Sequence, residues 1–333
     1  MKRRHLLQAS ALGVTGLAAG AIAAEAVAQD STGADSIKDT SRPFPDSDPY
    51  NTPVGEPDIA DDSDALIEAL LGGTEAAPVI AITHFGASIL HASSSTPRFT
   101  VVPSYTGDWG DNPFDGVEIP WDESWHIPPG DDGYVDGWVV IIDGDTSYEL
   151  WQTEFTGGQL RCSWGDITNL STTDGSSTPL EDKGRGTGAN FSCHAGRITA
   201  AEWTAGVIDH ALGFGCEIAN SDFVYPATAS DGGNEPGPGT IPEGTRIWLD
   251  TEYNVDDDDL LRPYERIVAK ALQTYGAYCG DNAGSFGFGG EYADDATADD
   301  AGEAARSVGI TGDYPRLDNI PWRDHLRILK PAR

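Results

Sequence analysis

Apolar residues in this chain fall in short runs separated by clusters of Gly, Asp, Asn and Pro. Pro78–Thr83, Arg98–Val102, Trp138–Ile142, Tyr148–Phe155, Leu160–Trp164, Val207–Phe214, Phe223–Tyr225 and Arg246–Leu249 read as strands. The turn clusters between them include Gly107–Gly116, Gly130–Gly137 and Asp231–Gly239. Helical spacing is rarer. Leu66, Ile67, Leu70 and Leu71 predict a short helix capped by Asp64 and ended at Gly72-Gly73. Thr199 with Glu202 three residues later is a capping box. Arg262–Tyr275 is the strongest helix, with Pro263 at its first position and Gly276 just past its end. Many short strands and few helices predict an all-β domain, mostly antiparallel. A β-sandwich or a jelly-roll-like barrel with one or two packed helices fits, spanning residues 61–333.

The N-terminal segment breaks this pattern. Lys2, Arg3 and Arg4 precede a weakly apolar Ala/Gly-rich run that ends in Ala26-Val27-Ala28. That is the layout of an export signal over residues 1–28. Arg3-Arg4-His5-Leu6-Leu7 resembles the twin-arginine motif, so an extracellular or cell-surface location is expected. Residues 29–60 are rich in Ser, Thr, Asp and Pro and read as a solvated acidic spacer. No later segment is apolar enough to span a bilayer, so no membrane insertion is expected once the signal is removed.

Charge sharpens the picture. The chain has 54 acidic and 20 basic side chains, a net −34. Removing residues 1–28 takes away three bases and one acid, leaving 53 acids, 17 bases and a net −36. Nucleic-acid binding needs a cationic footprint, and this chain has none. Asp and Glu in place of Lys resemble the composition of haloarchaeal proteins, so a halophilic surface that needs salt is expected.

Several segments occur in a suggestive order: Ile208-Asp209-His210-Ala211-Leu212, Phe223-Val224-Tyr225-Pro226-Ala227-Thr228, Pro242-Glu243-Gly244-Thr245-Arg246, Lys270-Ala271-Leu272-Gln273-Thr274-Tyr275-Gly276 and Asp281-Asn282. Together they resemble a family of secreted bacterial and archaeal proteins without an established activity. The resemblance covers residues 75–329 and implies an extracellular domain, with no reaction attached. That family carries His in an Asp-Gly-His before a strand, where this chain has Trp138. The departure removes position 138 from the catalytic candidates.

Candidate chemistry centres on Trp138–Phe155. Val139–Ile142 is a buried-type run, and Asp143-Gly144-Asp145 is a hairpin turn. On the return strand Tyr148, Leu150, Gln152 and Glu154 share one face, and Glu149, Trp151, Thr153 and Phe155 the other. An aromatic beside polar side chains suits a glycan, with the ring stacking on a sugar and carboxyl groups doing acid/base work. Amphipathic strands also build ordinary sandwich interiors. His210 suits proton transfer near neutrality, though Asp209 would point to the opposite face. Asp281-Asn282 follows a helix and a strand and is placed to face a cleft; an Asx turn is the plainer reading.

The catalytic candidates are therefore Glu149, His210 and Asp281, with Trp151, Gln152 and Asn282 as substrate-binding candidates. Two function classes follow: a hydrolase or lyase acting on extracellular polysaccharide, or a non-catalytic surface or adhesion module. Convergence of these side chains on one open groove is the condition for the enzyme.

Cys162, Cys193, Cys216 and Cys279 are an even set in an exported chain, which suggests two disulfides or else buried thiols. Cys193-His194 with His210 and Cys216 fits no zinc spacing, and Asp256–Asp259 lacks the EF-hand pattern. No phosphate loop or Ser nucleophile elbow occurs, so no cofactor is expected. Asn169 and Asn190 lie in glycosylation sequons.

Overall fold

The structure, a computed structural model, describes residues 42–72, 77–129, 136–172, 184, 186–293 and 300–332. The expected export signal and the first part of the expected spacer lie outside the described residues.

The described residues are mostly β, with four sheets and few helices among them. One four-stranded sheet has the order Ala87–His91, Trp138–Asp143, Thr146–Trp151, Trp164–Asn169. A second runs Glu118–Pro120, Arg98–Pro103, Gln159–Cys162, Glu154–Thr156. These two share a core. Val101, Ile119 and Leu160 of one meet Val139, Ile141 and Leu150 of the other, with Phe114 and Trp121 from the connections. This is the expected sandwich, and it explains why Val139–Ile142 is apolar at every position. Val139 and Ile141 face that core, while Val140 and Ile142 face a second one around Tyr50, Phe191 and Tyr278.

A six-stranded sheet has the order Val79–Ala81, Gly287–Gly289, Leu212–Cys216, Ala277–Asn282, Arg246–Leu249, Leu326–Ile328. The helix Pro263–Thr274 buries Tyr264, Ile267, Val268, Ala271 and Leu272 in the same core as Leu212, Ile247 and Leu326. Pro263 starts this helix, and Gly276 takes the left-handed φ of 68° just after it. Glu265 of its first turn accepts from Arg262 and from the side chain and backbone of Asn319, tying the helix to the C-terminal segment. Ala219–Phe223 and Ile241–Glu243 form a small parallel pair.

Antiparallel pairs outnumber parallel ones, yet every sheet contains a parallel pair. Parallel neighbours need long crossovers. Here the Ala87–His91 and Trp138–Asp143 strands flank one such excursion, and Leu212–Cys216 and Ala277–Asn282 flank another.

Four local expectations are corrected. Residues 42–51 are packed on the domain, with Phe44, Tyr50 and Asn51 buried and Arg42 donating to the Asp209 carbonyl, while residues 52–60 are largely exposed and touch it at points such as the Ile59–Leu329 bridge. Two aromatic anchors outweigh the polar composition around them. The first helix is Ser63–Leu71, so Asp64 lies in its first turn and does not cap it. Tyr148–Phe155 is not one strand. It stops at Trp151, Gln152 turns with φ 53°, and Glu154–Thr156 joins the other sheet. Lastly, Val207–Ala211 is irregular and the strand begins at Leu212.

No disulfide forms among the four cysteines, against the expectation of two bridges. All four are buried free thiols, and the Cys216 and Cys279 sulfurs are 3.9 Å apart. Among the described residues no helix is long and apolar enough to cross a membrane.

Candidate functional site

The sequence candidates separate into three places. Glu149 is fully buried on the face of its strand opposite Tyr148 and Leu150. Its carboxyl accepts from the Ser192 and Ser147 hydroxyls and, at 2.5 Å, from the Cys193 amide. Burial first, and the Asp166 charge second, push it up to about 7. It anchors the 192–194 segment to the sheet and cannot touch a polymer. Glu149→Ala would strand the Ser192 hydroxyl and Cys193 amide without an acceptor. We expect a loss of about 2–4 kcal/mol by urea denaturation in high salt.

His210 is buried too. Its Nδ1 donates to the Ala211 carbonyl at 2.8 Å, and its Nε2 lies 2.9 Å from Glu202. Glu202 also completes the capping box of the helix Ala200–Ala205 by accepting from the Thr199 amide. Burial opposes the His210 charge, but Glu202 outweighs it and the His210 pKa rises. This pair ties a helix start to the 207–211 segment. Glu149, His210 and Asp281 thus occupy separate settings, so the constellation expected from sequence does not assemble as posed.

Trp151 and Asp281 have different surroundings. Trp151 belongs to a group of near-parallel rings with Tyr105 and Trp109. The Tyr105–Trp109 centroids are 4.4 Å apart and the Trp109–Trp151 centroids 5.8 Å. Trp109 is 53% exposed and Tyr105 36%, so the group faces water. A tight turn presents them: Trp109 N–H bonds the Tyr105 carbonyl, and Gly107 N–H bonds the Gly110 carbonyl. Gln152, named as a binding residue, instead braces this region by accepting from the Ser163 hydroxyl at 2.5 Å.

The Trp151 indole donates to Asp136 at 3.0 Å, just ahead of the Trp138 strand. Burial raises the Asp136 pKa, partly offset by Trp151 and by Arg197. Asp136 in turn acts electrostatically on Asp281. The Ala277–Asn282 strand has a bulge: Cys279 pairs Phe214 and Asp281 pairs Gly215, leaving Gly280 extra. Unbroken alternation would put Asp281 on the core face with Cys279; the bulge turns it outward. Asp281 is solvent-accessible, yet protein surrounds it closely enough that desolvation pushes it well above the carboxylate range. Asp231, beside it, adds to that rise, and the Gly188 amide opposes it.

Asp231 closes the cluster. It accepts from the Asn282 amide at 3.1 Å and packs on Gly188, where a Cβ would lie 2.3 Å from its Oδ1. A side chain at 188 would push the Asp231 carboxyl aside. Asn282 therefore serves through its backbone. Behind Asp231 lies Glu243, 0% exposed at the end of the Ile241–Glu243 strand. Neither Glu243 oxygen meets a donor at hydrogen-bonding geometry. The groups that approach it are the amide and carboxyl of Asp231, and burial with Asp231 pushes it up to about 10.

Asn169 is exposed at a strand end, whereas Asn190 is buried with its amide donating to Thr228, closed to glycosylation in the folded protein. Among the described residues no group of three or more His, Cys, Asp or Glu side chains is arranged to hold a metal ion. A depression of about 690 Å³ lined by residues such as Tyr253, Asn254, Lys270 and Gln273 holds surface pairings only. Lys270 meets Asp256 there, and Gln273 donates to two backbone carbonyls.

No protein family, curated protein or solved structure matches the chain.

Proposed function

We propose that this protein binds extracellular polysaccharide on the face formed by Tyr105, Trp109 and Trp151. The exposed stack of three near-parallel rings, joined by the Trp151 indole to a carboxyl group, carries the reading. Large aromatic side chains at a surface lose apolar contact with nothing in return unless a ligand covers them. Sugars offer such rings a face of C–H groups, and their hydroxyls suit Asp136 as an acceptor. The export-type N-terminus and the acidic composition support a polymer met outside the cell in brine. Surface display without enzymatic action is compatible with this face.

The test is co-sedimentation of the mature protein with a panel of insoluble neutral polysaccharides at about 2 M salt. Retention on at least one, released by its soluble oligosaccharide, is expected. Retention on none would end the proposal.

A further inference from the structure

Building on the binding reading above, we propose that the aromatic face takes a single uncharged sugar unit, stacked on Trp109, and does not track a run of successive sugars.

Ring geometry sets the footprint. The Tyr105, Trp109 and Trp151 planes lie within 25° of one another, and no two centroids are more than 6.4 Å apart. Near-parallel rings at about 4.5–7 Å are offset stacks, in which each ring covers part of its neighbour's face. A platform for successive sugars needs rings laid side by side, each with a face left open. Here the three rings make one stack, of a breadth suited to one sugar ring. Trp164 does not widen it. That ring is 3% exposed and meets Trp109 at 81°, so it backs the stack from the interior. The other exposed Phe and Tyr side chains among the described residues, Phe223 and Tyr225, lie at and just beyond the end of the Ala219–Phe223 strand, which belongs to another sheet.

Trp109 is the ring that meets the sugar. It alone of these four is more than half exposed. Gly107 and Gly110 beside it take φ of 91° and 124°, and a side chain placed on either would meet no atom within 4 Å. Open space therefore flanks Trp109 along the turn.

Charge sets the class of sugar. All three rings lie between Arg98 and Arg161, and residues 99–160 hold 13 acids and no Lys or Arg. Asp108 and Asp111 flank Trp109 and are exposed, and Asp136 is bonded to the Trp151 indole. Arg161, the next cation along the chain, is bonded to Gln159. A uronic acid or sulfated sugar on Trp109 would bring its anion among carboxylates, with no cation of this stretch to pair it. Molar salt screens exposed charges beyond about 3 Å, but screens a partly buried group such as Asp136 much less, so the preference persists in brine.

The test is titration calorimetry at about 2 M salt with oligosaccharides of two to six units, cut from the polysaccharide that the protein retains. The same hexamer oxidised to carboxylates at its primary hydroxyls is the second probe. A hexamer offers three times as many units as a dimer, so one-unit recognition lowers Kd by about threefold at most. Trp109→Ala should weaken dimer and hexamer by the same factor, and the oxidised hexamer should bind wild type at least about fivefold more weakly than the neutral one. A hexamer more than about fivefold tighter than the dimer, or a Trp109→Ala defect confined to the hexamer, shows a row of subsites. An oxidised hexamer that binds as well as the neutral one shows no selection against charge. Each of these overturns the inference and leaves the binding reading standing, whereas retention on no polysaccharide removes both.

Discussion

At pH 7 and about 0.05 M salt the protein is expected to melt far below its temperature at about 2 M, and to lose compactness on dialysis to about 0.01 M. The cause is arithmetic. Twenty cations can neutralise no more than twenty of 54 acids, so at least 34 carboxylates have no cation of their own. Several cations are already committed to ion pairs, such as Arg98 with Asp143, Lys270 with Asp256 and Arg327 with Asp250. At about 0.01 M the Debye length is roughly 30 Å, so charges repel across the whole domain; at about 1 M it is roughly 3 Å. Repulsion of several kcal/mol rivals a net stability of about 5–15 kcal/mol. Near pH 4 low salt should be tolerated better, while solubility drops as carboxylates neutralise. A melting temperature that stays constant between about 0.05 and 2 M salt at pH 7 would show that the acidic surface is no adaptation to brine.

With salt held near 2 M, stability is expected to peak at about pH 5 and to fall toward pH 9. Glu149 is raised to about 7 and Glu243 to about 10 in the folded protein, both above an unfolded carboxyl of about 4.5. The folded state therefore holds protons that the unfolded state has released. Wherever that is so, stability falls as pH rises, from about 4.5 up to each folded value. His210 acts in the same direction. Its raised pKa contributes stability that is present below the unfolded value and lost as pH climbs through the folded one. Glu265 works the other way. Burial opposes its charge, but Arg262 and Asn319 outweigh burial and depress its pKa, so its contribution is lost as pH falls through the folded value. The balance places the maximum on the mildly acidic side. The expected drop is several kcal/mol, or about 5–15 °C in melting temperature between pH 5 and 9. Calorimetric scans that rise steadily from pH 5 to 9 would contradict these burial assignments.

The sandwich was legible because its central strand is apolar on both faces, which leaves a continuous run at Val139–Ile142. The helix Pro263–Thr274 was legible from its Pro start and Gly stop. Trp151 and Asp281 were also named, from alternation and from a strand end. Their neighbours were missed for a physical reason. Trp109 and Asp136, which meet Trp151, and Asp231, which meets Asn282, each sit in a Gly-rich cluster that reads as a turn. Local periodicity carries no record of such pairings. Glu243, inside Pro242-Glu243-Gly244, left no periodic signal of its own. Glu149 and His210 misled because a polar side chain in a strand-like stretch looks available. In fact each satisfies a neighbouring backbone or helix start.

The most direct test of the central claim is titration calorimetry with an oligosaccharide of the retained polysaccharide, at about 2 M salt, on wild type and Trp109→Ala. Trp109 is more than half exposed, so its removal should leave the melting temperature within about 2 °C. The exposed Leu260→Ala serves as the control away from the rings. A stacked ring contributes about 0.5–1.5 kcal/mol beyond its buried area, so the Kd of Trp109→Ala should rise about tenfold or more while Leu260→Ala binds as wild type. Equal affinity in all three proteins would contradict the assignment of the aromatic face as the polysaccharide site.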